Sequence, residues 1–239
     1  MKFFRKIRKT LILEGGLKKY MGYAIGEILL IMIGVLLAFQ VSKWNENRNN
    51  QKAETLYYQN IKRQLIEDKG LISRNVEYND RYLVQFRKAV GIIEAEEVSK
   101  ADTLAAYALN LFRYSDFHRV NNIYETLLQS GQLKLIRNNT ILEELQRLEE
   151  SYVYINKMED IHFDVIKLIA IPDLIQYVDF QTLEIEKPDK LYKFEFKNRF
   201  SMMMEIMQEK DEVYKWTIHK IDQIIALIDE ELGEEKDNS

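Results

Sequence analysis

Tyr23-Ala-Ile-Gly-Glu-Ile-Leu-Leu-Ile-Met-Ile-Gly-Val-Leu-Leu-Ala-Phe-Gln40 carries one charged side chain, Glu27. The apolar run extends to Val41. At ~1.5 Å per residue its length is roughly 28 Å, about the thickness of a bilayer core. Tyr20 and Tyr23 flank one end and Trp44 the other, where interfacial aromatics belong. The stretch therefore predicts a transmembrane helix over residues 21–43. A cleavable signal peptide is the competing reading. Its basic and apolar regions would both be long for a signal, and Gln40-Val-Ser-Lys-Trp-Asn-Glu46 offers no small-x-small cleavage site. An uncleaved signal anchor is expected.

Working outward, residues 1–41 hold seven Lys/Arg and two acids, a balance of +5, and the remainder balances to −9. The excess of basic residues before the span puts the N-terminus in the cytoplasm and the following chain on the far side. Phe3, Phe4, Ile7 and Leu11 recur at helical spacing with basic residues between them. Residues 1–20 thus predict a cytoplasmic basic amphipathic helix, with Gly15-Gly16 as a turn. Arg5, Lys6, Arg8, Lys9, Lys18 and Lys19 are its expected contacts with inner-leaflet lipid. The acidic body argues against nucleic acid as a partner.

Within the span, Gly22, Gly26, Gly34 and Ala38 fall within about 160° of one another, and Glu27 lies on the same side. Small residues let helices approach closely, so this stripe is the expected helix-packing face in the membrane. Glu27 has three readings: it snorkels to Lys18 and Lys19, it is a neutral acid bonded across a helix interface, or it carries protons or ions in an assembly.

Two stretches carry a resemblance. Met1-Lys-Phe-Phe-Arg-Lys-Ile-Arg-Lys9 with the span through Trp44-Asn-Glu-Asn-Arg48 is one, and Ile123-Tyr-Glu-Thr-Leu-Leu-Gln-Ser-Gly-Gln-Leu-Lys-Leu-Ile-Arg-Asn138 is the other. Together they resemble an uncharacterised family of Bacteroidota single-span membrane proteins with a YAIGE-type span, whose domain has no known function. Ser42-Lys43 departs from that family's usual asparagine pair. The resemblance implies a bacterial inner-membrane location and nothing catalytic; with the basic excess before the span, the body is then expected in the periplasm. It makes Tyr124, Glu125, Leu128, Ser130, Gly131 and Asn138 a candidate surface motif. Turn chemistry at the end of a short helix accounts equally for Ser130, Gly131 and Asn138.

The body, residues 44–233, reads as mainly α. The chain has two prolines and nine glycines among 239 residues, few breakers for its length. It has no cysteine, which excludes disulfides and thiolate chemistry. From Asn45 to Glu97 one long amphipathic helix is predicted, continuous with the span. Its inward residues are Tyr57, Ile61, Leu65, Ile72, Val76, Leu83, Phe86, Val90 and Ile93. Asp68 and Asn79 interrupt this seam, which favours a packed bundle over a strict coiled coil. Gly70 and Gly91 are candidate kinks or ends. Ser99–Asp102 reads as the cap of a helix over 101–113. Asn121-Asn122 starts a shorter helix ending at Ser130-Gly131. Asn138–Thr140 opens a long helix that Pro172 stops. Val178–Ile185 and Tyr192–Phe196 alternate in polarity and suggest a small hairpin across Lys187-Pro188-Asp189. Lys197–Leu232 returns to helix, with Phe200, Met204, Met207, Val213 or Tyr214, Ile218, Ile221, Ile225 and Ile228 inward. The tail 234–239 is acidic and expected to be disordered.

Catalytic signals are sparse. Glu159-Asp-Ile-His162 has the E-x-x-H spacing of carboxylate-bridged metal bundles, but neither His118 nor His219 has a glutamate three residues before it. No phosphate loop, nucleophile elbow or HExxH is present. No cofactor, metal or catalytic residue is expected. Met202–Met204 with Met207 reads as core filling rather than an adaptable surface. The expected function is that of a non-enzymatic, single-pass envelope protein that binds a partner or scaffolds a complex. It would contact membrane lipid, and would meet a protein partner or another copy through the span and long helix. A periplasmic sensor and an oligomeric channel or proton-coupled assembly using Glu27 are the alternatives.

Overall fold

A computed structural model describes residues 17–119, 121–179, 181, 182 and 184–237. Arg5, Lys6, Arg8 and Lys9, and with them most of the expected amphipathic helix, lie outside the described residues. The fold is mainly α with one two-stranded sheet. The chain separates into two compact units, Met1–Glu54 and Thr55–Ser239.

Helix α1, Leu17–Glu94, belongs to both units. No proline interrupts its hydrogen-bond ladder, and neither Gly70 nor Gly91 breaks it. It stops where Glu96 turns left-handed at φ 50°. There Glu97 N–H bonds the Ile92 carbonyl and Glu96 N–H bonds that of Ile93, the paired bonds of a Schellman stop. In the first unit every residue from Ile28 to Lys52 is exposed. Ala24 opens the apolar part of a helix long and apolar enough to cross a membrane.

The second unit is built on three helices: α1 from Thr55 onward, α4 (Asn139–Val165) and α6 (Phe194–Asp237). Lys62 pairs with Asp229, Lys69 with Asp222 and Lys197 with Glu94, so α6 runs antiparallel to α1. His162 meets Lys210 and Asn138 meets Glu231, so α6 is antiparallel to α4 as well. Buried positions alternate at steps of three and four on α4 (Ile141, Leu145, Leu148, Tyr152, Ile155, Glu159, His162, Ile166). They do so on α6 from Phe196 through Phe200, Met203, Met207, Lys210, Tyr214, Thr217, Ile221 and Ile224 to Ile228. That is the spacing of helices meeting along a heptad seam. The inward stripe of α6 expected from hydrophobicity holds at Phe200, Met207, Tyr214, Ile221 and Ile228 and is one residue off at the positions between them. Met203 and Ile224 are the buried members, with Met204, Val213, Ile218 and Ile225 partly covered beside them.

Short elements close the bundle. They are α2 (Ala101–Ala108), α3 (Ile123–Gln129), α5 (Ile171–Tyr177) and the strand pair β1 (Val178–Asp179) with β2 (Glu184–Ile185). The strands are antiparallel, Val178 opposite Ile185. Three expectations fail here. Ser99 does not cap α2: a 3-10 turn over Val98–Lys100 leads into it, and no side-chain cap forms. The hairpin closes within 178–185, and Tyr192–Phe196 is not a strand, because Pro188 opens a 3-10 turn that feeds α6. Pro172 does not stop the long helix. A π turn over Ile166–Ala170 adds a residue, and Pro172 then sits in the first turn of α5, where its missing N–H costs little. The cap at Asn122 holds as expected: its side chain accepts from Glu125 N–H. Asn138 does the same for α4, accepting from Thr140 and Ile141.

Candidate functional site

Two apolar cores fill the second unit. One gathers Leu83–Ile93, α2, α5 and the start of α6; the other gathers Tyr58–Ile72, Ile141–Ile155 and Tyr214–Ile228. A polar layer separates them, a waist made of Asn79 on α1, Glu159 and His162 on α4, Lys210 and Asp211 on α6, and Ser115. All six side chains are buried.

Ser115 belongs to a strap, residues 113–122, that has no helix or strand in its described part. Each long helix ties it down. The Lys210 ammonium donates to the Ser115 carbonyl at 3.0 Å. Ser115 Oγ donates to Asn79 Oδ1 at 2.9 Å, and Asn79 Nδ2 donates to Asp211 at 2.7 Å. Phe117 N–H donates to Glu159 at 2.9 Å, and the Tyr214 hydroxyl donates to the same carboxylate oxygen. Farther along, Arg119 forms a two-pronged pair with Glu149 and lies over the Tyr152 ring, whose hydroxyl donates to Asp68. Gln64 accepts from Ile123 N–H and donates to the Asn121 carbonyl. A loop threaded between helices exposes no ladder partners of its own, so side chains must supply them.

The electrostatics follow from burial. Lys210 Nζ also donates to His162 Nδ1 at 3.0 Å and sits over the rings of Tyr114 and Tyr214. An ammonium only donates, so Nδ1 is the acceptor and the imidazole proton is on Nε2, which is buried with no hydrogen-bond partner. Burial and the nearby ammonium push His162 down to about 3, so it is neutral. Burial pulls Lys210 down to about 8, opposed by Glu159, Asp211 and Asp116. Burial raises Glu159 to about 7, against the Tyr214 hydrogen bond and Lys210. Asp211 is raised to about 6 by burial, against the bond from Asn79. Such shifts mark sites where charge is held under tension. Glu159 and His162 are thus brought together around Lys210. Among the described residues no group of three acids or histidines is arranged to hold a metal.

The Tyr114 ring divides two clefts. On one side a polar cleft of about 360 Å³ reaches Asp116, His118, Arg119, Asn156, Glu159 and Asp160. On the other an apolar cleft of about 470 Å³ lies between Phe112 and Tyr114 on the strap side and α4–α5 on the other.

The residues expected from sequence are placed differently. Gly22, Gly26, Gly34 and Ala38 are exposed on α1, and no atom approaches within 4 Å of a Cβ built at the three glycines. Glu27 is half-buried. Lys18 and Lys19 stand in the first turn of α1. In the surface motif, Ser130 Oγ bonds the Leu127 carbonyl, and Gly131 adopts φ 68° with the same paired stop bonds as the end of α1. Asn138 caps α4 and bonds Glu231 at 2.6 Å. Glu125 bonds Gln129, while Tyr124 packs on the second core and Leu128 is exposed. Met203 and Met207 are core residues, as expected.

Sequence reasoning missed Lys210, Asp211, Ser115 and Arg119, and gave Tyr214 only as an alternative to Val213 on the inward stripe. Lys210 left one signal: it occupies an apolar heptad position between Met207 and Tyr214. The class these features define is a mainly α protein whose long helix carries an exposed apolar stretch and whose bundle encloses a charged waist. Comparison with family models, curated proteins and solved structures finds no match.

Proposed function

We propose that the chain is a non-enzymatic, single-pass membrane protein whose helical bundle binds a protein partner or scaffolds a complex. The carrying observation is α1: the run Ile28–Val41 is apolar and wholly exposed, and the same helix goes on to form one wall of the bundle. Leaving so many large side chains in water is expensive at ~25 cal/mol per Å². Bilayer hydrocarbon removes that cost for a helix of this length. The basic excess before the span supports a cytoplasmic N-terminus with the bundle on the far side, and the family resemblance supports a bacterial inner membrane. The waist supports a binding rather than a catalytic role. Lys210 and His162 are fully buried and already occupied with each other and with Ser115, and Glu159, which borders the polar cleft, is itself buried and accepts from Phe117 and Tyr214.

Affinity purification of the full chain from membranes, followed by mass measurement of the intact complex, tests the proposal. A discrete complex with a second protein, or a defined homo-oligomer, is expected. A lone monomer would sink it. A Gly26→Ile chain that keeps the same assembly would remove the small-residue face as its cause.

A further inference from the structure

The apolar cleft beside Tyr114 is built by an irregularity. Buried residues on α4 keep heptad spacing up to Ile166 and then step by four, through Ala170 and Leu174 to Val178. In a regular α-helix these three steps rotate the buried stripe by roughly 40° each. The π turn at Ile166–Ala170 widens one turn and absorbs that drift. Ile166 and Leu174 thereby stay together as the floor of the cleft, and Phe163, Ile171 and Ile175 stay together as its lip. The floor is buried; Phe163 is 50% and Ile175 63% exposed. The facing wall is held from behind. The Tyr114 ring lies 5.7 Å from that of His162, 5.8 Å from that of Phe163 and 5.3 Å from the Lys210 ammonium. The hollow that the π turn opens thus meets, at one place, a wall braced by buried charge.

We propose that this cleft binds a small, uncharged, hydrocarbon-rich molecule carrying at most one hydrogen-bonding group. Charge is segregated by Tyr114: acids, Arg119 and His118 lie in the cleft on its other side, and no charged residue lines this one. The one polar atom among the lining side chains, the Tyr114 hydroxyl, is already engaged by Asp116 on the polar side. A charged or multiply polar ligand would lose its hydration with nothing in return. An extended peptide is unsuitable for the same reason, since its backbone groups need partners. A volume of about 470 Å³ falls among small-molecule sites. The preformed wall removes ordering costs that a ligand would otherwise meet. The inference is independent of membrane anchoring.

The test uses the full chain in lipid nanodiscs with a diazirine-bearing decanol as photolabel, read by peptide mass spectrometry. Saturable labelling of peptides containing 112–114 and 163–175 is expected, competed by excess decanol and about tenfold less by decanoate. Ile171→Trp, which fills the cleft, and Ile175→Asp, which places a charge on its exposed lip, should each cut that labelling about tenfold. Ile161→Trp, elsewhere on the helix surface, should leave it unchanged. Labelling that is not competed, is confined to the apolar stretch of α1, or survives Ile175→Asp overturns the proposal. Equal competition by decanoate overturns the uncharged ligand.

Discussion

Residues Ile28–Val41 of α1 leave apolar side chains exposed, while the waist of the bundle hides an ammonium, two carboxylates and an imidazole. Both depart from the ordinary rule of burial, in opposite directions. The apolar stretch has a simple remedy outside the chain, because a hydrocarbon surrounding satisfies all of it at once. The waist has to be satisfied from inside, group by group. It therefore needs the strap, whose backbone supplies the Ser115 carbonyl to Lys210 and the Phe117 N–H to Glu159. One region is specified by composition alone. The other is specified by geometry, and a single missing atom is felt.

The largest expected effect tests the second half of that contrast. Lys210→Met removes the buried ammonium beside Glu159 and Asp211 and leaves Glu159 uncompensated, while Lys215 still faces Asp211. Breaking a buried charged network on one side costs about 3–5 kcal/mol. Thermal unfolding of the full chain, followed by circular dichroism, should show a large drop in midpoint. Adding Glu159→Gln to Lys210→Met should restore part of it, since a neutral amide suits the emptied layer better than a carboxylate. If the single variant is as stable as the parent, the waist is not cooperative.

Next in size is a charge in the exposed apolar stretch. Leu30→Arg costs ~3 kcal/mol near the middle of a bilayer span. It should shift the chain from the membrane fraction toward the soluble fraction, while the bundle keeps its unfolding midpoint. The same substitution in a helix that merely lay in water would be neutral. Fractionation and circular dichroism on one variant thus separate the two regions.

How much of this was legible in the sequence differs between the regions for the same reason. The apolar stretch is a property of successive residues, so the long α1 could be read without knowing what it packs against. The waist is a property of residues 36 to 132 positions apart, from Asn79 with Ser115 to Asn79 with Asp211. On α6, a hydrophobicity count passes over Lys210 and Thr217 and settles on Met204, Ile218 and Ile225 instead. The true seam keeps its steps of three and four only if a lysine and a threonine are allowed inside it. Asp68 and Asn79 likewise look like breaks in α1's seam and are buried members of it. Pro172 misleads because the π turn before it has no local sequence signal.

Smaller effects come from pH. Glu159 and Asp211 have folded values raised by burial to about 7 and about 6 from model-compound values of 4.5 and 3.8. The folded state then holds more protons than the unfolded one across those windows, so these two acids lower stability as pH rises through them. His162, pushed down to about 3 from 6.5, acts oppositely: the unfolded state takes up its proton first, and stability falls as pH drops below 6.5. The opposing slopes partly cancel between about 4.5 and 6.5. Glu159→Gln should unmask the histidine. Its stability relative to the parent should grow as pH rises from about 5 to 7, read by denaturant midpoints at each pH. A pH-independent difference would place the Glu159 carboxyl in water.

The smallest effect serves as the control for both regions, because it lies in neither. Gly131 holds φ 68° at the end of α3, and a Cβ built there meets no atom within 4 Å. Gly131→Ala should therefore cost only the left-handed backbone penalty, about 1 kcal/mol. Asn138→Ala should cost about the same through loss of the α4 cap. If the motif around Tyr124–Asn138 is only turn chemistry, partner capture in the pull-down stays at the parental level in both variants once folding is matched. If capture fails while unfolding midpoints move by only a few degrees, that surface is the partner's seat. The binding role would then be assigned to α3 and its turn, away from the exposed stretch of α1 and from the waist.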